Sequence, residues 1–172
     1  MTDQLITKIK QGKLFIYPTD TIYGLGCNAL NKKAVEKIRK IKQRDNKPLS
    51  VIVPSFEWIN KNLVVDKNID LKKYLPGPYT IILKKKNPNF LSWVSDTDSL
   101  GIRIPDNDFT KIIQKSNLPF ITTSVNLSGQ PFLTNLKDLN PEIKKQVDEI
   151  INIGILNGKP STLIINGEEV KR

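Results

Sequence analysis

The sequence predicts a single α/β domain over residues 1–172, with helices and a twisted mixed sheet. Short apolar runs suited to buried strands, at residues 14–17, 50–53, 79–86, 100–104 and 120–124, alternate with segments whose apolar residues recur at helical spacing. No repeat, low-complexity tract or composition shift marks a linker. Several strands also follow one another too closely for a helical crossover, which calls for antiparallel neighbours within the sheet. The 172 residues, 38% apolar and 26% charged, suffice for one sizeable core.

The elements follow in order. Leu5, Ile6 and Ile9 share one face of a short helix closed by Gly12, and residues 13–17 form a strand. Asn31 suits a helix N-cap, where a short side-chain oxygen accepts an orphan N–H of the first turn. From there Ala34, Val35, Ile38 and Ile41 face inward while Lys33, Glu36, Lys37, Arg39 and Lys40 face water. Residues 50–53 read as a buried strand stopped by Pro54. Phe56, Trp58 and Ile59, then Ile69, Leu71 and Leu75, suggest short helices before Pro76-Gly77-Pro78. Residues 79–86 and 100–104 are strands, Phe109, Ile112 and Ile113 mark a helix, and residues 120–124 form a strand ending in Thr122-Thr123-Ser124. Pro141 fits the first turn of a helix with Ile143, Val147 and Ile150 inward. A hairpin closes the chain at residues 161–165 and 168–170 around Asn166-Gly167.

Composition narrows the chemistry. One cysteine, Cys27, excludes an internal disulfide, and with no histidine a zinc site lacks ligands and the commonest general base is missing. No apolar stretch approaches the ~20 residues that span a bilayer. The start of the chain, with Asp3 and Gln4 before the first aliphatics, has no signal-peptide pattern, so a cytoplasmic location is expected. A net charge of +10 attracts phosphate, whether of a nucleotide or of RNA, and charge alone does not choose between them.

Three segments concentrate polar, ligand-holding groups at element ends. Residues 18–26 end an apolar run in Thr19, Asp20, Thr21, Gly24 and Gly26, where glycine lets backbone approach a bound group. Residues 42–47 hold Lys42, Arg44 and Lys47, one planar fork and two point charges for phosphate or carboxylate. In residues 124–129, Ser124 and Asn126 sit two apart and in extended backbone would share one face. Arg103 lies inside an apolar strand and needs a partner if buried: a carboxylate-bearing substrate, or an Asp or Glu.

Taken together the chain resembles the YrdC/TsaC family of threonylcarbamoyl-AMP synthases. The matching pieces are Pro-Thr-Asp-Thr-Ile-Tyr-Gly-Leu (18 to 25), Lys-Gln-Arg (42 to 44), Lys47-Pro48-Leu49, Pro76-Gly77-Pro78 with Thr80, Gly-Ile-Arg-Ile-Pro (101 to 105), Ser-Val-Asn-Leu-Ser-Gly (124 to 129) and Ser161-Thr162, in the family's order and over nearly the whole chain. Departures are Val125 for the family's usual alanine, Asp45 where proline often follows the arginine, and Ile52 near a histidine of long-form relatives. The length matches the family's short form, and the resemblance implies a twisted mixed sheet with helices around a large basic cavity.

The resemblance implies synthesis of L-threonylcarbamoyl adenylate and pyrophosphate from L-threonine, bicarbonate or carbon dioxide, and ATP. ATP would be a substrate carrying Mg2+, with no protein metal site. Other proteins would pass the group to the adenosine beside the anticodon of certain tRNAs, so tRNA is an indirect partner, and no membrane is involved. Thr21, Arg103, Ser124 and Ser161 would line the threonine subsite, with Arg103 on the carboxylate. Arg44, Lys47, Ser99, Asn126, Thr134 and Arg172 would hold ATP, with Lys42 and Arg44 as catalytic cations at the phosphates. Such chemistry needs positioning and charge stabilisation more than a strong base, so the missing histidine is no obstacle. The rival reading is a non-catalytic RNA-binding module, supported by charge but by no aromatic pattern among the lysines. Carbamoyl transfer to another acceptor, as in larger proteins embedding a similar domain, is a third.

Overall fold

Amphipathic periodicity and capping place the helices. In the computed structural model, which describes residues 1–44 and 46–170, helix α1 (Thr2–Lys10) leads into the hairpin of β1 (Phe15–Pro18) and β2 (Tyr23–Gly26). Helix α2 (Lys32–Lys42) starts where the Asn31 side chain accepts the Ala34 N–H at 3.1 Å and stops at Gln43, which turns left-handed at φ 50°. Strand β3 (Ser50–Ile52) is followed by α3 (Phe56–Asn62), β4 (Leu63–Val64) and α4 (Leu71–Tyr74), the two helices capped by Ser55 and Asp70. Then come β5 (Tyr79–Lys85), β6 (Ser99–Arg103), α5 (Asp108–Ser116) and β7 (Phe120–Ser124). A 3-10 turn (Leu136–Asp138), α6 (Pro141–Lys144), β8 (Glu149–Ile150) and the hairpin β9 (Thr162–Ile165) with β10 (Glu168–Val170) complete the chain.

Ten strands of the described residues form one mixed sheet, nine in the order β10-β9-β5-β6-β3-β7-β2-β1-β8 and β4 beside β5. The pairs β1·β8, β3·β6 and β5·β9 are parallel and the others antiparallel. Strand β7 joins the two halves, meeting β3 through residues 120–122 and β2 through Thr123 and Ser124.

Both faces of the central strands are covered, which explains their continuous apolar runs. On one face Val51, Ile81, Ile102 and Ile121 pack with Val35, Ile38 and Ile41 of α2 and with Ile59 and Leu71. On the other, Phe15, Tyr17, Ile52 and Phe120 pack against Phe109 and Ile113 of α5 and Ile9 of α1. Tyr17 stacks on Phe109 at 4.5 Å and meets Phe120 edge-on at 5.4 Å. Each such side chain stabilises the fold by about 1.5–3 kcal/mol through burial.

Two expectations change. Residues 23–26 are a strand rather than a loop, because the chain reverses after Pro18 and pairs Tyr17 with Gly24. The helix at Pro141 ends after Lys144, so Ile150 lies on the edge strand β8 and is 36% exposed. Asp148 decides this: its carboxylate accepts the Leu14 N–H at 2.8 Å and its own N–H donates to Leu14 O at 2.9 Å, drawing the chain alongside β1. Sheet pairing outweighs a weak helical period.

Gly26 is where β2 passes closest to β7. A methyl there would overlap the Ile121 carbonyl oxygen and lie 2.7 Å from the Phe120 ring. Gly26→Ala is expected to destabilise by about 2 kcal/mol, lowering Tm by about 4–8 °C in thermal unfolding. An unchanged Tm would show that the two strands can separate freely.

Candidate functional site

Cross-strand register places the cavity. Ile52 lies opposite both Arg103 and Phe120, and one step along the same face Ser50 lies opposite Gly101 and Thr122. Bulky side chains in the first row support the aromatic cluster under α1 and α5. The second row is small and polar, and it floors a cavity of about 450 Å³. Gly101 is part of that floor because a Cβ there would approach Ser50 Oγ to 2.5 Å. Gly24 stands opposite Ser124 on the same face, and a Cβ would meet the Tyr17 ring at 2.7 Å.

At one end the Thr19 hydroxyl knots residues 19–22, donating to Ile22 O at 2.7 Å and accepting the N–H groups of Thr21 and Ile22. This turn presents Asp20 and Thr21 to Arg103, whose Nη2 donates to Asp20 Oδ1 at 2.8 Å and to Thr21 Oγ1 at 3.4 Å. Arg103 Nε is buried with no hydrogen-bond partner among the described residues. Burial pulls the guanidinium's pKa down, and the Asp20 carboxylate and the Tyr17 hydroxyl oppose it. Thr80 and Ser161 share a 2.6 Å hydroxyl contact across β5 and the approach to β9. Gly158 holds that wall close, since a Cβ there would sit 2.6 Å from the Thr21 Cα.

At the other end Lys42, 2% exposed, runs from the last turn of α2 to the turn after β7. Its ammonium donates to Ser124 O at 2.6 Å, Asn126 Oδ1 at 2.8 Å and Asn126 O at 3.1 Å. Ser124 Oγ donates to the same Asn126 Oδ1 at 2.7 Å, and Asn126 Nδ2 donates to Gln130 O at 2.6 Å. The backbone here is turned, with Asn126 N–H on Ser124 O at 3.1 Å. Ser124 and Asn126 therefore meet through a turn closed by the ammonium, not through the shared face of an extended strand.

Of the expected site residues, Thr21, Arg44, Arg103, Ser124, Asn126 and Ser161 line the one cavity. Arg44 donates from Nη2 to Pro48 O at 2.9 Å, and Lys47 is exposed on the same segment. Lys42 lies behind the lining and supports it. Ser99 shares the face of Gly101 and Arg103 but sits two residues beyond the lining, bonded to Thr97. Thr134 is half-buried and accepts the Leu156 N–H at 2.9 Å. Arg172 falls outside the described residues. Among the described lining residues Arg44 and Arg103 carry charge and the rest are hydroxyl, amide or apolar, so the net charge expected of a basic cavity is spread mainly elsewhere. Ser50 and Gly101 were not anticipated as lining. Their signal was small residues at matching alternate positions of two apolar strands. Asp20 as the partner of Arg103 had no signal, since the residues are 83 apart.

A family model described as telomere recombination, covering Sua5, YciO and YrdC, matches residues 7–171. A Methanocaldococcus jannaschii protein that carries, provisionally, the name threonylcarbamoyl-AMP synthase is 45% identical over 91% of this chain and 76% of its own. The crystal structure of Pyrococcus abyssi Sua5 complexed with L-threonine superposes with a TM-score of 0.81 at 31% identity, covering 97% of this chain. This chain spans about half of that protein, 51% of its length. Escherichia coli YciO, whose name states no activity, superposes with a TM-score of 0.81 at 29% identity, covering 97% of this chain and 84% of its own.

Burial and the nearby Arg44 push the Lys42 pKa from 10.5 down to about 8. Between those values the unfolded chain holds more protons than the folded one, so the stability that Lys42 contributes rises with pH across that window. Between about pH 7 and about pH 10, wild type should gain on the order of 1–3 kcal/mol over Lys42→Met in denaturant unfolding. A difference that stays flat or shrinks would mean that the carbonyl cradle holds the ammonium at its ordinary value.

Proposed function

The chain belongs to the Sua5/YciO/YrdC family, and from that premise we propose that it is a threonylcarbamoyl-AMP synthase. The reaction converts L-threonine, bicarbonate or carbon dioxide, and ATP into L-threonylcarbamoyl adenylate and pyrophosphate. Family membership alone does not settle the activity, because YciO is also a member. The observation that carries the reading is the buried Arg103, with Nη2 on Asp20 and Nε without a partner, beside the hydroxyls of Thr21 and Ser161 in one cavity. A guanidinium so placed seats a carboxylate, and the hydroxyls suit the polar remainder of a small amino acid. Support also comes from the synthase names of relatives and from the L-threonine complex of Sua5. These names weigh against the non-catalytic RNA-binding module.

In this reading Arg103, Thr21 and Ser161 hold threonine, while Arg44, Lys47 and Asn126 face the nucleotide. Ser99 and Thr134 would extend the nucleotide end. A carbamate oxygen attacks the α-phosphorus and pyrophosphate leaves. The chain's task is to align the two ends and neutralise phosphate charge, with Arg44 nearest the transfer and Lys42 fixing Ser124 and Asn126. Magnesium would arrive on ATP, since the described residues contain no group of three acidic, histidine or cysteine side chains to hold an ion. No helix among the described residues is long and apolar enough to cross a membrane. A cytoplasmic setting, with tRNA reached through transfer proteins, fits the proposed product.

The test is incubation with ATP, magnesium, bicarbonate and L-threonine, with mass spectrometry of the adenylate and assay of pyrophosphate. Release should require threonine and bicarbonate together; equal release without threonine sinks the synthase reading. Arg103→Lys keeps the charge but loses the fork, and KM for threonine should rise about tenfold to a hundredfold, the cost of a charge-assisted hydrogen bond. An unchanged KM would remove Arg103 from the carboxylate seat.

A further inference from the structure

We infer that Arg39 is a positioning residue for the nucleotide end of the cavity, holding the segment that carries Arg44 and Lys47 without touching a ligand. Naming ATP as that ligand rests on the synthase reading. The geometry of the segment does not.

Arg39 lies in the last turn of α2, half-buried at the edge of the buried row and one turn on from Val35. Its Nη1 donates to Lys47 O at 2.8 Å, Nη2 to Val94 O at 2.9 Å and Trp93 O at 3.0 Å, and Nε to Trp93 O at 3.3 Å. One planar group thus joins the cavity segment to residues 93–94. The backbone secures the same segment at its ends: Arg44 N–H donates to Arg39 O at 3.0 Å and Leu49 N–H to Val94 O at 3.0 Å. Between those points, the bond from Arg39 to Lys47 O ties the middle to α2.

The segment is a partition with space on both sides. Arg44, Pro48 and Leu49 line the cavity, whereas Asn46 faces a second depression of about 360 Å³ walled by Arg39, Trp93 and Asp96. Volume behind a thin wall lets the wall retreat unless something spans it, and Arg39 spans it. A retreat carries Arg44 away from its aim, and small misplacements of a charged contact weaken binding steeply. Lysine reaches one or two carbonyls from a single point and does not reproduce the fork.

Two variants test this. Arg39→Lys and Arg39→Gln should each raise KM for ATP about tenfold and lower kcat severalfold through the displaced Arg44, with KM for threonine within about twofold of wild type and Tm unchanged. In the free protein, amide hydrogen exchange at Leu49, whose N–H donates to Val94 O, should accelerate while that of β6 and β7 stays unchanged. If exchange at Leu49 matches wild type in both variants, or if both KM values and kcat change together with Tm, Arg39 has no specific positioning role. An inactive wild type would instead overturn the synthase reading, and the exchange comparison would still decide whether Arg39 holds the segment.

Discussion

One sheet face has to be tightly packed over part of its length and hollow over the rest. Register satisfies both demands, because residues two apart on a strand point the same way. The row of Ile52, Arg103 and Phe120 borders the aromatic cluster, and the next row of Ser50, Gly101 and Thr122 leaves room for a ligand. Helices α1 and α5 cover the first part and stop short of the second. The opposite face, with Val51, Ile102 and Ile121 under α2, makes no concession and anchors the strands that the hollow weakens. A slip of one residue in β3 would put Val51 into the cavity and Ser50 into the core.

Among the described residues three cations are buried, each with a different partner. Arg103 has a carboxylate, Lys42 has the carbonyls and amide oxygen of the turn after β7, and Lys85 has the Ser95 carbonyl at 2.9 Å. Desolvating a charge costs several kcal/mol, so each needs acceptors in place. All three sit where secondary structure gives way to a loop, and each orders a turn or loop, Lys85 the one that follows its own strand and the other two distant ones. Lys85 fixes the loop before β6 and Lys42 the turn after β7. Arg103 draws the Asp20–Thr21 turn across the mouth of the cavity. The architecture uses internal charge to fix loops that apolar contacts would leave loose.

The sequence revealed elements with strong local signals. Asn31 as a cap, the helix of Ala34, Val35, Ile38 and Ile41, the strand at residues 120–124 and the Asn166-Gly167 hairpin lie where composition and period put them. Strands β2 and β8 escaped notice because their formation depends on partners. Tyr-Gly-Leu-Gly has little strand preference of its own and becomes a strand between β1 and β7. At the site, residue types were legible and pairings were not. Arg103 was visibly out of place in an apolar run, but Asp20 and the Gly158 approach to Thr21 arise from distant segments. Lys42 showed the same limit: its cationic type was evident, while its direction, inward to the turn after β7, was fixed only by the fold.

The loop from Ile151 to Pro160 lacks regular structure, yet its two ends differ in what they tolerate. Tyr23 donates to Gly154 O at 2.7 Å, and Gly158 lies against the Thr21 backbone. Between them Ile155 is 65% exposed, whereas Ile153 lies before the first anchor with its N–H on the Tyr23 hydroxyl at 3.2 Å. Extra residues beside Ile155 can bulge into solvent without moving either anchor. Extra residues after Gly158 must displace Ser161 from Thr80 and with it a wall of the cavity. Length variation during evolution, and any engineered insertion, is therefore channelled to the stretch around Ile155, while the residues after Gly158 behave as a ruler for the amino-acid end of the site.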